Sequence, residues 1–250
     1  MYRNLEIKLK MHDMDNFWDT SLPSDYYDSI LKKGLNKGRG IQANWHNLTF
    51  LKVSSTINKE DLHLDYACGS GSFIGNYLYQ NSIGVDISNN QIEYAIKTYS
   101  EKGKFYIIEE FDFKAHKEFF NSISIIGLFE YLDRDEALLL LEKLYSILKK
   151  DGKVIITTPN YSTSMRFLEK LSHGIGPIDY SSEHKIKYKK TQLEEILGNS
   201  KFKNFKIEKF MNIGVFFSIF SLELGRIIVK MIDKLFQNKY GFLFFVELKK

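Results

Sequence analysis

A short segment of the chain carries side chains that could bind a nucleoside. An apolar run ends at Asp65 and leads into a turn of small residues that includes Gly69 and Gly71. Glycines let backbone N–H groups approach a ligand closely, and the first N–H groups of the following helix face the same place. A second apolar run ends at Asp86, 21 residues after Asp65. Because an acid placed there can accept hydrogen bonds from both hydroxyls of a ribose, the segment predicts a nucleoside-binding half-site.

The elements that must position these residues alternate between strands and helices. Strands are predicted at 62–66, 83–86, 104–109, 123–128, 153–157, 205–210 and 242–248. Helices are predicted at 71–79, 88–100, 137–148 and 191–198. This alternation predicts an α/β fold, a Rossmann-like doubly wound sheet of seven mainly parallel strands with an antiparallel last strand. Ligands of such sheets bind at the carboxyl ends of the strands.

We expect two parts in the chain. Residues 1–50 are predicted to be a helical N-terminal extension, and residues 51–250 form the main domain. Segments 160–190 and 210–240 of that domain are expected to be insertions that cap the substrate and set the choice of acceptor.

Composition limits the classes of function. The chain has 250 residues, 44% of them hydrophobic, and a net charge of +4, which is ordinary for a globular protein and does not require a nucleic-acid partner. Its single cysteine, Cys68, excludes an internal disulfide and favours a reducing, cytoplasmic location. The first 15 residues contain no apolar segment of the kind a secretory signal needs. The histidines show no metal-ligand spacing, so no metal is expected.

Five motifs in order resemble the class I S-adenosylmethionine-dependent methyltransferases. The first two are the turn Asp65–Gly71, in which Ala67 stands where glycine is commoner, and the strand end at Asp86. The others are 126–132, the turn 150–152 and Thr157–Tyr161. The resemblance covers about residues 40–210. Within the family, the ubiquinone-pathway O-methyltransferases have motifs similar to residues 157–161 and 183–193. Methyltransferases of cell-surface polysaccharide and lipid synthesis have a motif similar to Trp45-His46.

The resemblance implies that S-adenosylmethionine is the cofactor and S-adenosylhomocysteine the product. The turn from Ala67 through Cys68 and Gly69 to Gly71 would pack against the amino-acid end and the ribose. Asp65 would hold the methionine ammonium, directly or through water. Cys68 is interpreted as a small residue that fills a tight turn.

The same resemblance places further residues on the rest of the cofactor. Asp86 would accept both ribose hydroxyls, and Ile87 would pack on the adenine. Glu109 or Glu110 would lie near the adenine amino group, and the alternation of a strand leaves both open. Leu128 would supply a backbone contact near the amino-acid part.

Methyl transfer to a hydroxyl needs a base, which contributes about 10²–10⁴-fold to the rate. His184 is the first candidate because it follows the fifth strand, in the segment that closes over the methyl group in similar enzymes. Glu130 and His46 are the reserve candidates. The acceptor is predicted to be a small molecule, a sugar or a lipid-linked intermediate methylated on oxygen or nitrogen.

The sequence is also compatible with two other functions. The pair Tyr145 and Lys149 has the Tyr-x-x-x-Lys spacing of a nicotinamide-dependent oxidoreductase, although Tyr145 lies on the apolar stripe of its helix. A non-catalytic nucleoside-binding partner protein would carry the same turn without turnover.

The C-terminal region combines apolar and basic residues. Residues 201–250 contain ten Lys or Arg and four acids. A stripe from Ile227 to Phe236 predicts an amphipathic helix, with residues 210–222 uncharged but too short to span a membrane. Residues 210–237 either dock on the sheet, cap an apolar acceptor, or lie on an anionic membrane surface. The last alternative would place the protein peripherally on the inner membrane face.

Overall fold

The computed structural model describes residues 23–79, 82–161, 186–236 and 239–250. The strands are β1 His63–Tyr66, β2 Ser82–Asp86, β3 Gly103–Ile107, β4 Phe120–Ile126, β5 Leu148–Pro159, β6 Asn204–Phe210 and β7 Leu243–Lys249. The helices are α1 Tyr26–Lys37, α2 Ile41–Ser54, α3 Ser72–Tyr77, α4 Asn89–Tyr99, α5 Arg134–Ile147, α6 Lys190–Asn199 and α7 Leu222–Phe236. Short 3₁₀ helices lie at Phe129–Tyr131 and Ile213–Ile219.

All seven strands form one sheet in the order β3-β2-β1-β4-β5-β7-β6. The first five strands pair in parallel, and β7 runs antiparallel between β5 and β6. The chain order reverses between β1 and β4, which is where doubly wound sheets bind their ligands. The predicted fold class is therefore confirmed, including the antiparallel last strand.

The helices begin where the sequence supplies caps. The Ser88 hydroxyl accepts a hydrogen bond from the N–H of Gln91 at 3.3 Å, at the start of α4. At the start of α5, Asp133 and Glu136 form a reciprocal capping box. Each cap satisfies N–H groups that the first helical turn leaves without a partner. These two helices thus begin at fixed points just after the carboxyl ends of β2 and β4.

Apolar residues cover both faces of the sheet. Buried side chains of β1, β4 and β5 pack with α5 and α6 on one face, for example Leu64, Ile123 and Leu141. On the other face Phe73 and Ile155 pack in a second cluster with Val53 of α2. Such burial on both sides is what a mainly parallel sheet requires.

The helical N-terminal segment is tied to the C-terminal one. The Asn44 side-chain amide donates to the Ser218 hydroxyl at 2.6 Å and to the Leu222 carbonyl at 3.0 Å. Trp45 stacks on Phe242 with ring centroids 6.0 Å apart. The helical elaborations at the two ends of the described chain therefore pack as one layer against the sheet. None of the helices in the described ranges has the length and apolar character needed to cross a membrane.

Candidate functional site

The turn after β1 has the backbone that a close ligand approach requires. Ala67, Gly69 and Gly71 have φ angles of 65°, 53° and 75°, in the left-handed region. The N–H groups of Ala67 and Cys68 donate to the carbonyl of Val85 at 2.8 and 3.1 Å. These bonds hold the turn against β2. Glycine adopts such angles without strain, whereas Ala67 does not.

Asp86 joins the end of β2 to this turn. Its Oδ2 accepts from the N–H of Gly69 at 2.7 Å, and its Oδ1 accepts from the N–H of Ser88 at 3.0 Å. The side chain is buried, with 8% of its surface exposed. Hydrogen bonds to a carboxylate of this kind are about twice as strong as those between neutral groups. The acid predicted to bind a ribose therefore also fixes the geometry of the turn.

Asp65 lies at the end of a buried polar chain. The Ser124 hydroxyl donates to Asp65 Oδ1 at 2.5 Å, and Ser124 Oγ is 2.9 Å from His63 Nε2. His63 Nδ1 is 2.8 Å from the hydroxyl of Ser122. Burial raises the pKa of the Asp65 carboxyl to about 7, and Asp86 adds to this effect. Asp65 is therefore partly protonated at neutral pH. A cation such as an ammonium group beside it would lower the pKa and ionise the carboxyl group.

The imidazole of His63 is held neutral in this chain. Burial, together with the charge of Lys153, lowers the pKa of His63 to about 3. Since the Ser124 hydroxyl donates its hydrogen bond to Asp65, Ser124 Oγ accepts one from Nε2–H, and Nδ1 then accepts one from the Ser122 hydroxyl. Sequence reasoning did not select His63, Ser122 or Ser124. The available signal was the polar side chains set in two otherwise apolar strands.

Glu130 lies just beyond the carboxyl ends of β4 and β5. Its Oε2 accepts from the Thr158 hydroxyl at 3.0 Å, and burial raises the pKa of the carboxyl to about 7. Gly127 has a φ of 69°, and a Cβ placed on it would meet only Glu130 Oε1, at 3.8 Å. Oε1 of Glu130 therefore lies next to the exposed backbone of Gly127, although Glu130 itself is buried. A base with a pKa near the working pH is suited to general acid–base catalysis.

Of the other two candidate bases, the structure describes His46 but not His184. His46 of α2 lies between the rings of Tyr27 and Phe50, with centroids 5.6 and 6.1 Å away. Burial lowers the pKa of His46 to about 4, which makes it a weak base at neutral pH. His184, the first candidate, lies outside the described residues.

The remaining residues predicted to bind the cofactor lie around the same edge of the sheet. Ile87 follows β2 and is partly buried, and Leu128 precedes the 3₁₀ turn that holds Glu130. Glu109 and Glu110 both lie exposed in the turn after β3, so the choice between them stays open. The Cys68 thiol is buried, and a Cβ on Gly84 would come within 2.7 Å of its sulfur. Burial raises the pKa of the thiol, as expected for a packing residue.

One buried acid near the turn was not predicted. Asp28 of α1 accepts hydrogen bonds from Tyr99 at 2.5 Å, Tyr94 at 2.7 Å and Ser72 at 3.0 Å. Lys32 lies 2.9 Å from the same carboxylate. Ser72 is the first residue of α3, directly after the glycine turn, so Asp28 connects the N-terminal segment to the candidate site. A lone Asp in a helix gives no sequence signal of partners so far along the chain.

The edge of the sheet formed by the amino ends of the strands holds a cavity but none of the residues predicted to bind the cofactor. A cavity of about 300 Å³ lies there, lined by residues at the amino ends of the strands such as Leu62, Ser82 and Gly103. The Tyr-x-x-x-Lys pair also lies toward this edge, where Tyr145 packs on Phe202 at 5.1 Å and Lys149 donates to Asn121. This placement is against a hydride-transfer role for the pair. Within the described ranges, no group of three or more His, Cys, Asp or Glu side chains could hold a metal ion.

The residues at the carboxyl edge fit S-adenosylmethionine. Gly69 has a φ of 53°, which glycine adopts without strain, and a Cβ there would come within 2.8 Å of Gln91 Oε1. The buried carboxylates of Asp65 and Asp86 stand at the ends of adjacent strands, as an ammonium and a ribose diol would require. The fold and this site together define the class of S-adenosylmethionine-dependent methyltransferases.

Comparison with known proteins agrees with this class. A family model described as a methyltransferase domain matches residues 42–207, and the chain belongs to that family. Curated relatives from Clostridium botulinum, named tRNA (guanine-N(7)-)-methyltransferase, are 32% identical over 96 residues. That match covers 35% of this chain and spans only 38% of the relative's length.

Solved structures share the fold. A SAM-dependent methyltransferase from Archaeoglobus fulgidus is 23% identical, with a TM-score of 0.54, and covers 82% of this chain and 94% of its own. Magnesium protoporphyrin IX methyltransferase from Synechocystis PCC 6803, with bound SAH, is 16% identical, with a TM-score of 0.56. It covers 93% of this chain and 100% of its own.

Proposed function

We propose that the chain transfers a methyl group from S-adenosylmethionine to oxygen or nitrogen of a small-molecule, sugar or lipid-linked acceptor. The observation that carries the proposal is the meeting of two features at one edge of the sheet. The first is the glycine turn bonded to Asp86, and the second is Glu130, whose Oε1 lies next to the exposed backbone of Gly127. One feature suits a nucleoside and the other suits proton removal from an acceptor.

The turn and the two aspartates would hold the cofactor. Asp86 would accept the ribose hydroxyls while it keeps the N–H of Gly69 in place. Asp65 would face the ammonium, and a positive charge there would lower its pKa from about 7. When bound, S-adenosylmethionine supplies a methyl group on a positively charged sulfur. Fixing the acceptor in line with that methyl is the main task of the protein, and such positioning is worth roughly 7–11 kcal/mol.

Glu130 is the proposed base among the described residues. Thr158 donates to Oε2 and thereby orients the carboxyl group, so that Oε1 can take the proton of an acceptor hydroxyl or ammonium group. The raised pKa of Glu130 leaves it partly ionised near neutral pH, and it can return the proton to solvent afterwards. His184 remains a second candidate base from its sequence position, and His46 a third.

We propose that the chain belongs with the ubiquinone-pathway O-methyltransferases and the methyltransferases of cell-surface polysaccharide and lipid synthesis, so that its acceptor is a lipid-linked or sugar intermediate. The motifs at 157–161 with 183–193 and at Trp45-His46 support this branch. Segments 160–190 and 210–240 would then cap the acceptor. Because such acceptors are attached to bilayers, the proposal includes peripheral contact of residues 210–237 with the inner membrane face of a cytoplasmic protein.

A tRNA base is the competing acceptor. The curated relatives are named for tRNA guanine N7, although the match spans only 38% of their length. The chain's mild charge and the mixing of its lysines with acids favour a small acceptor over nucleic acid.

The cofactor half of the proposal can be tested by calorimetry with S-adenosylhomocysteine. Asp86→Asn replaces the charged acceptor that is proposed to bind the ribose hydroxyls, and a hydrogen bond to a charged group is worth about 1.5–3 kcal/mol. We expect affinity to fall by roughly 10- to 150-fold. Asp135→Asn, an exposed acid in the first turn of α5, is the matched control and should bind as the wild type. Absence of binding by the wild-type protein would contradict the whole proposal.

The acceptor half can be tested with S-adenosylmethionine labelled in its methyl group. The protein is incubated in parallel with a bacterial lipid extract, with soluble phenols and sugars, and with tRNA. Label in the lipid or small-molecule fraction supports the proposal, and label in tRNA alone would replace it by the competing acceptor. Glu130→Gln should keep S-adenosylhomocysteine affinity and lose about 10²–10⁴-fold in transfer. Full transfer by this variant would remove Glu130 as the base.

A further inference from the structure

Exposed apolar side chains are concentrated in one region of the surface. Sixteen large apolar side chains are exposed in the described part of the chain, and ten of them lie between residues 213 and 240. These ten are Ile213, Phe217, Ile219, Phe220, Leu224, Ile227, Met231, Leu235, Phe236 and Tyr240, here called the C-terminal apolar surface. Leu235 is 74% exposed and Phe220 is 72% exposed. An apolar patch of this kind marks an interaction site in a water-soluble protein.

Helix α7 presents this surface in a regular way. Leu224, Ile227, Met231 and Leu235 follow one another at spacings of three and four residues, so they lie on one face of the helix. Their exposures are 40%, 46%, 64% and 74%. The side of α7 that packs on the domain is different and contains Gly225 and Val229, which are buried. The helix therefore has a second apolar face that nothing in the described chain covers.

Basic side chains border the exposed apolar face. Arg226, Lys230 and Lys234 recur every four residues along α7, beside the exposed stripe. Glu223 pairs with Arg226 at 2.6 Å, which leaves Lys230 and Lys234 as the positive charges along this border, and the carboxyl of Asp233 accepts a hydrogen bond from Asn212 at 2.7 Å. Residues 201–250 as a whole contain ten basic and four acidic residues. The charge beside the apolar face is thus complementary to an anionic surface.

The α7 helix is fixed firmly to the domain near the candidate site. The side-chain amide of Asn212 donates to the Val229 carbonyl at 3.0 Å. Phe216 contacts Phe242, with ring centroids 6.4 Å apart. The N–H of Asn160, directly after β5, donates to the Phe242 carbonyl at 2.8 Å. The C-terminal apolar surface therefore adjoins the carboxyl end of β5, where methyl transfer is proposed.

We propose that the C-terminal apolar surface docks on an anionic phospholipid bilayer, with α7 lying in the plane of the interface. The proposal deepens the proposed function, on which it rests for the choice of a lipid-linked acceptor. The exposed apolar stripe would enter the boundary between headgroups and acyl chains, while Lys230 and Lys234 contact anionic headgroups. A second copy of the chain is a poorer occupant, because a two-fold interface would bring the same rows of lysine together.

Flotation with vesicles tests the docking directly. The full chain is mixed with vesicles of phosphatidylcholine alone or of phosphatidylcholine with phosphatidylglycerol, and the floated fraction is measured at low and high salt. We expect binding to the phosphatidylglycerol vesicles that weakens with salt. Lys230→Gln with Lys234→Gln should weaken it by roughly 5-fold for each charge removed. Met231→Glu with Leu235→Glu should weaken it by about 10-fold or more.

A matched control is available on another helix. Ile96 of α4 is 47% exposed, so Ile96→Glu makes the same kind of change away from the proposed surface and should float as the wild type. Equal loss in Ile96→Glu, or wild-type protein that stays unbound to anionic vesicles, would overturn the proposal. So would a wild-type dimer that Met231→Glu with Leu235→Glu converts to monomer without any vesicle binding.

Calorimetry with S-adenosylhomocysteine on the same samples separates the two proposals. Variants that lose flotation should keep wild-type affinity, because all four changed residues lie on α7 and none belongs to the glycine turn. Vesicle binding without cofactor binding would contradict the proposed function and leave the membrane surface standing. Cofactor binding without vesicle binding would overturn the membrane surface alone.

Discussion

Replacing Asp28 by Asn should destabilise the whole domain. The carboxylate is fully buried, and its two oxygens share four donors: Oδ1 accepts from Tyr99 and Ser72, and Oδ2 from Tyr94 and Lys32. An amide keeps one oxygen and turns an NH₂ group toward the other pair of donors. Two charge-assisted hydrogen bonds are then lost, each worth about 1.5–3 kcal/mol.

For the two bonds together this range is about 3–6 kcal/mol, and the expected loss lies at its lower end. The side chain of Lys32 is 42% exposed, so its ammonium can recover water when the carboxylate is gone. We therefore expect the free energy of unfolding to fall by about 3 kcal/mol, close to the cost of breaking a buried ion pair. Domain stabilities are about 5–15 kcal/mol, so the change would be plain in urea unfolding curves.

Asp25→Asn is the matched control for Asp28→Asn. Asp25 precedes α1 but makes no side-chain cap, so its replacement should change the free energy of unfolding by less than about 1 kcal/mol. A change of that small size in Asp28→Asn would refute the reasoning. The hydrogen bonds from Tyr99, Lys32 and Tyr94 lower the pKa of Asp28 below its usual 3.8 against the opposing effect of burial. The difference between wild type and variant should thus persist down to about pH 4 and shrink at lower pH.

Two further substitutions test the turn itself. Ala67 has a φ of 65°, which costs a residue with a Cβ about 1–2 kcal/mol. Glycine removes this cost but makes the unfolded chain more flexible, which offsets part of the gain. Ala67→Gly should therefore leave the free energy of unfolding unchanged or raise it by up to about 1 kcal/mol. A loss above about 1 kcal/mol in urea unfolding would contradict this account. Asp65 has a pKa of about 7 in the folded chain and binds more protons there than when unfolded, so the stability of the cofactor-free protein should fall as pH rises from about 4 to about 7. Asp65→Asn should remove this contribution, which is about 1.4 kcal/mol in the free energy of unfolding per pH unit. If the pH dependence of unfolding is the same in wild type and variant, the pKa of Asp65 is not raised.

Local features of the fold could be predicted because their causes are local. The glycines after Asp65 and the capping residues Ser88 and Asp133 act on the backbone within a few positions of themselves. The strand and helix alternation then limits the topology to a few arrangements. Strand bounds were less exact: β4 begins at Phe120 rather than 123, because its polar Ser122 is buried against His63 of the neighbouring strand.

Contacts between distant segments could not be predicted in the same way. Asp28 meets Tyr99 only after α1 and α4 have packed together, and its own neighbours in sequence give no sign of this. The partners of Asp65 are similar, since Ser124 comes from a strand that is adjacent only in the finished sheet. The acids of the site were therefore recognisable from their positions at strand ends, whereas the environment that sets their pKa values was not.

The place of β7 in the sheet has a consequence for synthesis on the ribosome. β7 is made after β6, yet it lies between β5 and β6 and is the strand to which both are hydrogen-bonded. Until residues 243–249 emerge, β5 exposes an open edge that includes Val154, Ile155 and Ile156. Open apolar edges of this kind pair readily with other chains. The nascent chain should therefore be most prone to aggregation after β6 has emerged and before β7 does.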